Sequence, residues 1–396
     1  MTLAAPLSAE DQQVQSMPEA SPVKWHLGHT SWFFDAMILA PFAAPVGNDQ
    51  FHYIFNSYYE ALGQRHPRHA RGLLTRPALD EVIGYRSRVD QGVTGLIGSA
   101  TDDEWRRIAP LIELGLNHEQ QHQELILMDV KHLLFSIPGR PAYLSERPAA
   151  LAEVRPATAK TWMEFGAGLC EIGSDGQGFA YDHEGPRHRV WTGAFRLSSG
   201  LVTCADWEAF IEDGGYRRPE LWLSDGWAQV QAQGWDAPLY WSEGQPTDRS
   251  LYTLTGDRAP CPDEPVCHVS FFEADAFAKW AGARLPTEQE WERAAQADFS
   301  EDSFSLHPVA PRPRRGLSQM AGAVWQWTSS AYTPYPGFRT ARNAAAEYNG
   351  KFMSGQMVLR GGASITPEGH TRLSYRNYFP PAARWAFSGV RLAADT

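Results

Sequence analysis

Apolar and polar positions follow a helical period between residues 111 and 125. Six side chains recur with the spacing of one face of an α-helix: Leu111, Leu114, His118, Gln121, His122 and Leu125. The leucines indicate that this face is buried. His118 and His122, four residues apart, are therefore predicted to point into the interior one turn above the other.

Two imidazoles in a buried stripe favour a metal site. A buried neutral imidazole needs a partner for each ring nitrogen, and a shared metal ion is a common solution. Glu124, two residues further along, could reach the same ion or orient its ligands. The alternative is a polar, partly exposed helix in which the histidines occur by chance.

The first part of the chain, residues 1–145, is predicted to form a bundle of four amphipathic helices. The first helix begins with Ser21 as its cap and Pro22 at its first position, and the second ends at Gly63. A basic loop precedes the third helix. The predicted helices are residues 22–40, 51–63, 79–97 and 102–128.

The first predicted helix can supply a third metal ligand. His29 shares a stripe with Trp25 and Trp32, so it is predicted to point inward with them. His26 lies further round the helix and is the alternative. Three imidazoles on one side of a metal leave its other side open, which is typical of a reactive rather than a structural site.

The amino-acid composition and the predicted secondary structure change after residue 145. Residues 146–160, rich in Pro and Ala, are predicted to be a linker. Residues 161–396 are predicted to form an irregular α+β domain, so the fold class is α+β with two domains. Strands are expected in CEIGS, HRVWTGAFRLSSG, VCHVSF, MVLRGGASI and FSGVRL, and helices in CADWEAFIEDGG, FFEADAFAKWAGA and TEQEWERAAQA.

The composition of the chain excludes several classes of binding partner. A formal net charge of −11 argues against nucleic acid or an anionic membrane as the main partner. No apolar run has the length of a membrane span, and the first twenty residues do not resemble a secretion signal. The cysteines, too few for a disulfide framework, are Cys170, Cys204, Cys261 and Cys267. We expect a cytoplasmic monomer or homodimer that acts on small molecules.

The second part of the chain resembles the formylglycine-generating-enzyme family, a variant of the C-type lectin fold. The resemblance covers most of residues 160–394 and rests on FAYDHEGPRHRVWTGAFRLSSGLVTCADWEAFIEDGGY, PVCHVSFFEADAFAKWAGARLPTEQEWERAA, GAVWQWTSS, VLRGGASI and FSGVRL. All four cysteines precede residue 268, so the paired copper-binding cysteines near the C-terminus of formylglycine generators have no counterpart. Oxidation of a sulfatase cysteine is therefore not expected.

The first part resembles the DinB-like four-helix bundle through WHLGHTSWFFD and HEQQHQE. A DinB-like bundle followed by this lectin-like domain resembles the EgtB-like sulfoxide synthases of ergothioneine biosynthesis. The resemblance implies a non-heme Fe(II) enzyme that uses O2 to join a sulfur donor to C2 of the imidazole of hercynine. It also implies that His29, His118 and His122 bind the iron.

Several segments resemble the subgroup of this family that takes a simple thiol such as cysteine, and also the related selenoneine synthases, which take a selenosugar. These segments are SYYEALG, RHPRHARGLLTRP, GGYRRPELWLSDGW, EYNGKFM and YRNYFPPAARWAFSG. The chain departs from the thiol-using pattern in reading GGASITP at residues 361–367 and in having Tyr378 where Phe is usual. The donor is left open between sulfur and selenium, with sulfur favoured.

The acceptor carries a trimethylammonium, a carboxylate and an imidazole. Because such cations prefer aromatic faces, Tyr378, Phe379 and Trp385 are predicted to line its site. The resemblance implies that Asn377 contacts the carboxylate and Gln121 the imidazole. The alternatives are a turn before Pro380 for the first group and an ordinary interhelical hydrogen bond for Gln121.

Tyr58 and Tyr59 resemble a tyrosine pair that the thiol-using subgroup places beside the iron, where a phenol would supply a proton or an electron that steers oxygen toward coupling. The alternative is that both pack as ordinary aromatic residues. Arg68, Arg71 and Arg76 in the basic loop are candidates to hold the donor, the alternative being a solvated loop. Two other functions remain open: a zinc-dependent DinB-type thiol transferase and a non-catalytic binding protein.

Overall fold

The computed structural model describes residues 1–60, 63–145, 160–242, 249–297, 299, 304–311, 316–340 and 349–396. The chain divides into two compact units, one of residues 1–143 with 340–350 and the other of residues 144–339 with 351–396. The predicted linker lies outside the described residues apart from Lys160. The two-domain α+β class predicted from the sequence is confirmed.

The first unit is helical and is organised around its first long helix. The bounds are α1 Val23–Phe34, continued by a π-helical turn Asp35–Leu39, α2 Ala40–Phe42, α3 Asp49–Phe55, α4 Leu79–Ser99 and α5 Asp102–Ser136. Helix α1 is buried along nearly its whole length, because α4 and α5 pack against it. No helix among the described residues is long and apolar enough to cross a lipid bilayer.

Helix α5 begins where the sequence predicts and extends beyond the predicted segment to Ser136. The Thr101 hydroxyl and the Glu104 carboxylate each accept a hydrogen bond from the other residue's backbone N–H, which forms a capping box. The helix continues through Pro110 without ending. Its long run places His118 and His122 near its middle, where its inner face is covered by α1.

The second predicted helix ends eight residues early, so this prediction is wrong in its C-terminal half. Helix α3 ends at Phe55 because the Asn56 side chain hydrogen-bonds the backbone N–H and carbonyl of Tyr59, which a continuing helix would use. Its Oδ1 accepts a hydrogen bond from the Tyr59 backbone N–H at 3.1 Å, and its Nδ2 donates to the Tyr59 carbonyl at 2.9 Å. Tyr58 and Tyr59 therefore lie in a turn rather than on a helix.

The predicted cap of α1 is also wrong. Pro22 occupies the capping position and α1 starts at Val23, with no side-chain cap. Ser21 is one residue too early for that role, and its backbone N–H donates instead to Asp129 Oδ2 of α5 at 2.8 Å. The start of α1 is thus held by a buried carboxylate on another helix.

The described residues of the second unit form short strands and four α-helices. Its strands are β1 Trp162–Phe165, β2 Gly168–Ile172, β3 His188–Thr192, β4 Phe195–Ser198, β5 Leu251–Thr253, β6 Gly256–Arg258, β7 Trp325–Ala331, β8 Met357–Arg360, β9 Asn377–Phe379, β10 Ser388–Gly389 and β11 Ala393–Asp395. They form a three-stranded sheet β1-β4-β11, a four-stranded sheet β10-β7-β8-β9, and the hairpins β2-β3 and β5-β6. The helices are α6 Cys204–Glu212, α7 Ser224–Gln233, α8 Phe271–Trp280 and α9 Glu288–Ala295.

One predicted strand of the second unit is absent. The VCHVSF stretch is not a strand, because its last two residues belong to the start of α8. Ser270 is the N-cap of this helix, where its hydroxyl accepts a hydrogen bond from the Glu273 N–H, and Phe271 is the first helical residue. Helix α7 was not predicted. Single turns of 3₁₀ helix connect the longer elements in both units, at Thr2–Ala4, Asp11–Gln13, Asp182–Glu184, Gly215–Arg217, Pro219–Leu221 and Gly350–Phe352, with a longer one at Arg68–Leu73.

A buried ionic network holds strand β9 in the second unit. Arg376, the residue before β9, makes a bidentate pair with Glu288 at 2.8 and 2.9 Å, and both side chains are fully or nearly fully buried. Arg360 at the end of β8 pairs with Glu292 at 2.6 Å and contacts Glu288 at 3.4 Å. Helix α9 is therefore tied to β8 and β9 by charge-assisted bonds.

We expect Glu288→Leu to destabilise the second unit by about 3–5 kcal/mol, because it leaves the Arg376 guanidinium buried without its carboxylate. Chemical denaturation followed by tryptophan fluorescence measures this change. Glu220→Leu is the matched control, since Glu220 pairs with Arg218 at the surface and its loss should leave the transition unmoved. Equal stability of the two variants would contradict the role given to the network.

Candidate metal centre

Three histidines from two helices of the first unit converge in its interior. His29 comes from α1, and His118 and His122 come from α5; one nitrogen of each ring lies within 4.8 Å of the others. All three side chains are buried. Within the described part of the chain, this is the group of histidine, cysteine and acidic residues with the spacing of a metal site. The structure places His29, rather than the alternative His26, in this cluster.

The hydrogen bond of His29 determines which of its nitrogens faces the cluster. Its Nδ1 lies 2.6 Å from the Phe55 carbonyl oxygen. A carbonyl only accepts, so Nδ1 carries the hydrogen and Nε2 keeps its lone pair. That Nε2 lies 3.2 Å from His118 Nε2. This separation suits two nitrogens that share one ion at about 2.1 Å each, so the donor set fits a metal.

Helix α3 supplies the acceptors that orient this part of α1. Its last carbonyls have no partner within the helix. The Ile54 carbonyl accepts from Trp25 Nε1 at 2.8 Å, and the Phe55 carbonyl accepts from His29 Nδ1. The early end of α3 at Phe55 leaves both carbonyls available for ring N–H groups.

Burial keeps the three imidazoles neutral. Desolvation lowers the pKa of His29 and of His122 well below the ordinary value, and in each case nearby His118 lowers it further. Desolvation lowers the pKa of His118 to about 3. Because metal ions bind the deprotonated nitrogen, the cluster is ready to bind at neutral pH without first losing a proton.

A column of stacked groups fixes the His29 ring. Trp25 stacks with it at 4.6 Å between ring centroids, and Trp32 stacks with it at 5.6 Å. The Arg71 guanidinium lies over the Trp25 ring, 3.3 Å from its centroid. The His29 ring thus packs against two indoles, which restricts its rotation.

The three candidate arginines occupy different environments. Arg71 is buried, and its guanidinium donates to Ser21 Oγ at 2.9 Å and Ser57 Oγ at 3.1 Å. Arg68 and Arg76 are exposed and donate to the backbone carbonyls of Glu19 and Thr75. Arg71 is the one of the three that belongs to the stack beside the histidines.

The two candidate tyrosines also differ. Tyr59 is fully buried and packs against Trp32 at 5.6 Å and Phe33 at 6.4 Å between ring centroids. Phe33 in turn contacts His118 at 4.6 Å. Tyr58 is partly exposed and stacks on Tyr59 at 4.6 Å. The Phe33 ring therefore lies between Tyr59 and His118, and Tyr58 contacts Tyr59 rather than Phe33 or the histidines.

Two further polar residues of α5 adjoin the cluster. Gln121 precedes His122 and is half-buried, whereas Glu124 is buried although it bears a carboxylate. Both lie on the helix that carries two of the three histidines. Gln121 lies on the same part of α5 as His118 and His122, and its contact with the acceptor stays a prediction.

The candidate acceptor-binding residues lie in the second unit. Asn377, Tyr378 and Phe379 form β9, which pairs with β8, and all three are half-buried. Tyr378 stacks on Tyr332 at 4.0 Å, and Phe379 meets Trp385 edge-on at 5.7 Å. Strand β9 and the segment after it therefore carry two aromatic pairs with partly open rings.

Sequence reasoning missed two groups of residues. Tyr332 stacks on Tyr378 and bonds with His183 at 2.5 Å, and nothing in the local pattern indicated that pairing. Asp129 contacts His26, which contacts His122. The available signal was the seven-residue interval from His122 to Asp129, which puts both on one face of α5.

Two family models match the chain. The sulfatase-modifying factor enzyme 1-like domain matches residues 149–312 and 307–396, and the DinB superfamily matches residues 1–126. The fold and the site thus define a DinB-type bundle with a three-histidine cluster, followed by a sulfatase-modifying-factor-type domain.

Three curated relatives refine this class. The hercynine oxygenase of Mycolicibacterium smegmatis is 37% identical over 314 residues, covering 71% of each chain. That of Mycolicibacterium thermoresistibile is 37% identical over 311 residues, covering 71% of this chain and 68% of the relative. The formylglycine-generating enzyme of Streptomyces coelicolor is 28% identical over 305 residues, covering 61% and 90%. The chain belongs to the hercynine oxygenase family, and the resemblance inferred from the sequence is confirmed.

We expect Gly28→Ala to weaken metal binding about 10- to 100-fold, the range for loss of a group that orients a ligand. A Cβ at Gly28 would lie 2.1 Å from the Phe55 ring, so the ring must move, and we expect the Phe55 backbone carbonyl to shift with it. Competition with a chromophoric chelator measures the affinity. Gly95→Ala in α4 is the control, because a Cβ there meets open space; unchanged affinity in Gly28→Ala would refute the coupling.

Proposed function

We propose that the protein is an O2-dependent non-heme iron oxidoreductase that joins a chalcogen donor to C2 of the imidazole of hercynine. The product is a sulfoxide, or a selenoxide, in ergothioneine or selenoneine biosynthesis. The observation that carries the proposal is a buried three-histidine cluster in a chain that is 37% identical to hercynine oxygenases.

The donor set supports iron. His29, His118 and His122 would hold Fe(II) through three neutral nitrogens and leave other coordination positions open. Fe(II) bound there would supply a centre that takes both O2 and the deprotonated donor. Zinc would be held by the same nitrogens but does not activate O2.

The overall reaction balances with O2 as the only oxidant. The donor loses the hydrogen on its sulfur and hercynine loses the hydrogen on C2 as the new bond forms. One oxygen atom of O2 ends on the sulfur and the other leaves as water. The hydrogens lost from the donor and from C2 must therefore reach oxygen as protons, and the Tyr59 or Tyr58 phenol is proposed to give one proton to oxygen and to regain one from the substrates.

Several side chains are suited to the chemical groups of hercynine. In the second unit, the half-open rings of Tyr378, Phe379 and Trp385 are suited to the trimethylammonium of hercynine, and Asn377 to its carboxylate. In the first unit, Gln121 is suited to the imidazole. Holding C2 close to the donor atom accounts for much of the rate.

The donor is proposed to be a thiol such as cysteine, with a selenosugar as the alternative. Arg68, Arg71 and Arg76 offer guanidinium groups that match a carboxylate. The buried position of Arg71 in the stack beside His29 makes it the strongest of the three candidates to act near the reacting atoms.

The test supplies the anaerobically reconstituted Fe(II) protein with hercynine, O2 and, in turn, cysteine, γ-glutamylcysteine and a selenosugar. Mass spectrometry should detect a sulfoxide or selenoxide adduct with one of the donors. His118→Ala should abolish the adduct, whereas His188→Ala, on a hairpin of the second unit, should not. Absence of an adduct with all three donors would refute the proposal.

The same cluster makes a zinc-dependent thiol transferase the second candidate, because neutral imidazoles suit Zn²⁺ equally well. Metal analysis of the protein purified without oxygen separates the two functions. We expect activity to follow the iron content and to be lost on replacement by zinc. Full activity of the zinc form without O2 would favour the transferase.

A further inference from the structure

A series of buried hydrogen bonds leads from the three-histidine cluster into the protein. His122 Nδ1 lies 2.8 Å from His26 Nδ1, and His26 Nε2 lies 3.0 Å from Asp129 Oδ2. The same oxygen accepts the Ser21 backbone N–H at 2.8 Å. The three side chains in this series of hydrogen bonds are buried: His26 is 2% exposed, Asp129 5% and His122 8%.

For a neutral His26, the carboxylate at the far end sets the direction of both bonds between these side chains. A carboxylate only accepts, so His26 Nε2 carries a hydrogen. In a neutral His26 the other nitrogen, Nδ1, is then bare and must accept. His122 Nδ1 therefore donates to it, and the hydrogen of His122 is on Nδ1. This leaves His122 Nε2 with its lone pair.

His29 reaches the same arrangement by a different route. Its Nδ1 donates to the Phe55 carbonyl, which leaves Nε2 toward His118. In both histidines, His29 and His122, Nδ1 thus donates a hydrogen bond and Nε2 keeps the lone pair that a metal ion needs. A ligand with the opposite tautomer would present an N–H to the metal and could not bind it.

We propose that Asp129 and His26 are positioning residues that fix the hydrogen of His122 on Nδ1 and so reserve its Nε2 for the metal. The inference deepens the proposed function, because it rests on the three-histidine cluster being a metal site. Such outer partners of ligand histidines orient the ring and raise its basicity as a ligand.

The competing explanation is that His26 and Asp129 only hold α1 against α5. Two substitutions of His26 separate the explanations. Glutamine keeps an oxygen that can accept from His122 Nδ1, whereas leucine has similar bulk and no acceptor. A packing role would make the two variants behave alike, and a tautomer role would make them differ.

Metal affinity is measured with Zn²⁺ and Co²⁺ by competition with a chromophoric chelator. We expect His26→Leu to bind about 10- to 100-fold more weakly than the parent, and His26→Gln to stay within a few-fold of it. His132→Leu is the control, because His132 lies on α5 with His122 but bonds with Ser16 and not with His122. Thermal melting of the metal-free proteins confirms that each variant folds.

Equal affinities for His26→Leu and the parent would overturn the inference, and so would equal losses in His26→Leu and His26→Gln. The proposed function fails differently: the parent would then bind no metal, or His118→Ala would bind as well as the parent. Metal binding that needs His118 but not His26 would remove the inference alone.

A second measurement does not depend on any His26 variant folding. Long-range ¹H–¹⁵N NMR of the metal-free protein, labelled at histidine, reports which nitrogen carries each hydrogen. The resonances of His122 are assigned by their loss in His122→Asn. We expect the hydrogen of His122 on Nδ1, and finding it on Nε2 would overturn the inference.

Discussion

The histidine cluster depends on where α3 ends. If α3 continued past Phe55, the carbonyls of Ile54 and Phe55 would accept hydrogen bonds from backbone N–H groups one turn later. Because Asn56 binds the backbone of Tyr59 instead, both carbonyls accept from rings on α1, namely Trp25 and His29. A helix terminus thus serves as the acceptor that orients a metal ligand.

Close approach of elements in the first unit makes this arrangement possible. Gly28 on α1 leaves the space that the Phe55 ring fills, and Gly115 on α5 leaves space for Phe34, which would lie 2.7 Å from a Cβ there. The buried imidazoles are shielded from solvent, which keeps them neutral, and they pack against indole and phenyl rings. Packing and chemistry are therefore set by the same small residues.

The second unit solves a different problem, that of holding a short strand with partly exposed aromatic rings. Strand β9 has three residues, too few to be stable by pairing alone. The Arg376 guanidinium immediately before it is anchored in Glu288, and Tyr332 stacks on Tyr378. Buried charge pairs thus give the strand a defined position while its outer side chains stay half-open.

The sequence by itself determined the two-domain class and the inward stripe of α5, and it favoured His29 over His26 as the third histidine of the cluster. Periodicity carries that information, because a helix repeats its faces at fixed intervals. Only the tertiary structure decided that α3 ends at Phe55, that Asp129 reaches His26, and that Arg71 is buried. These outcomes depend on contacts between residues far apart in the chain, such as Asn56 competing with a helix or a carboxylate meeting an imidazole across two helices, and local pattern does not encode them.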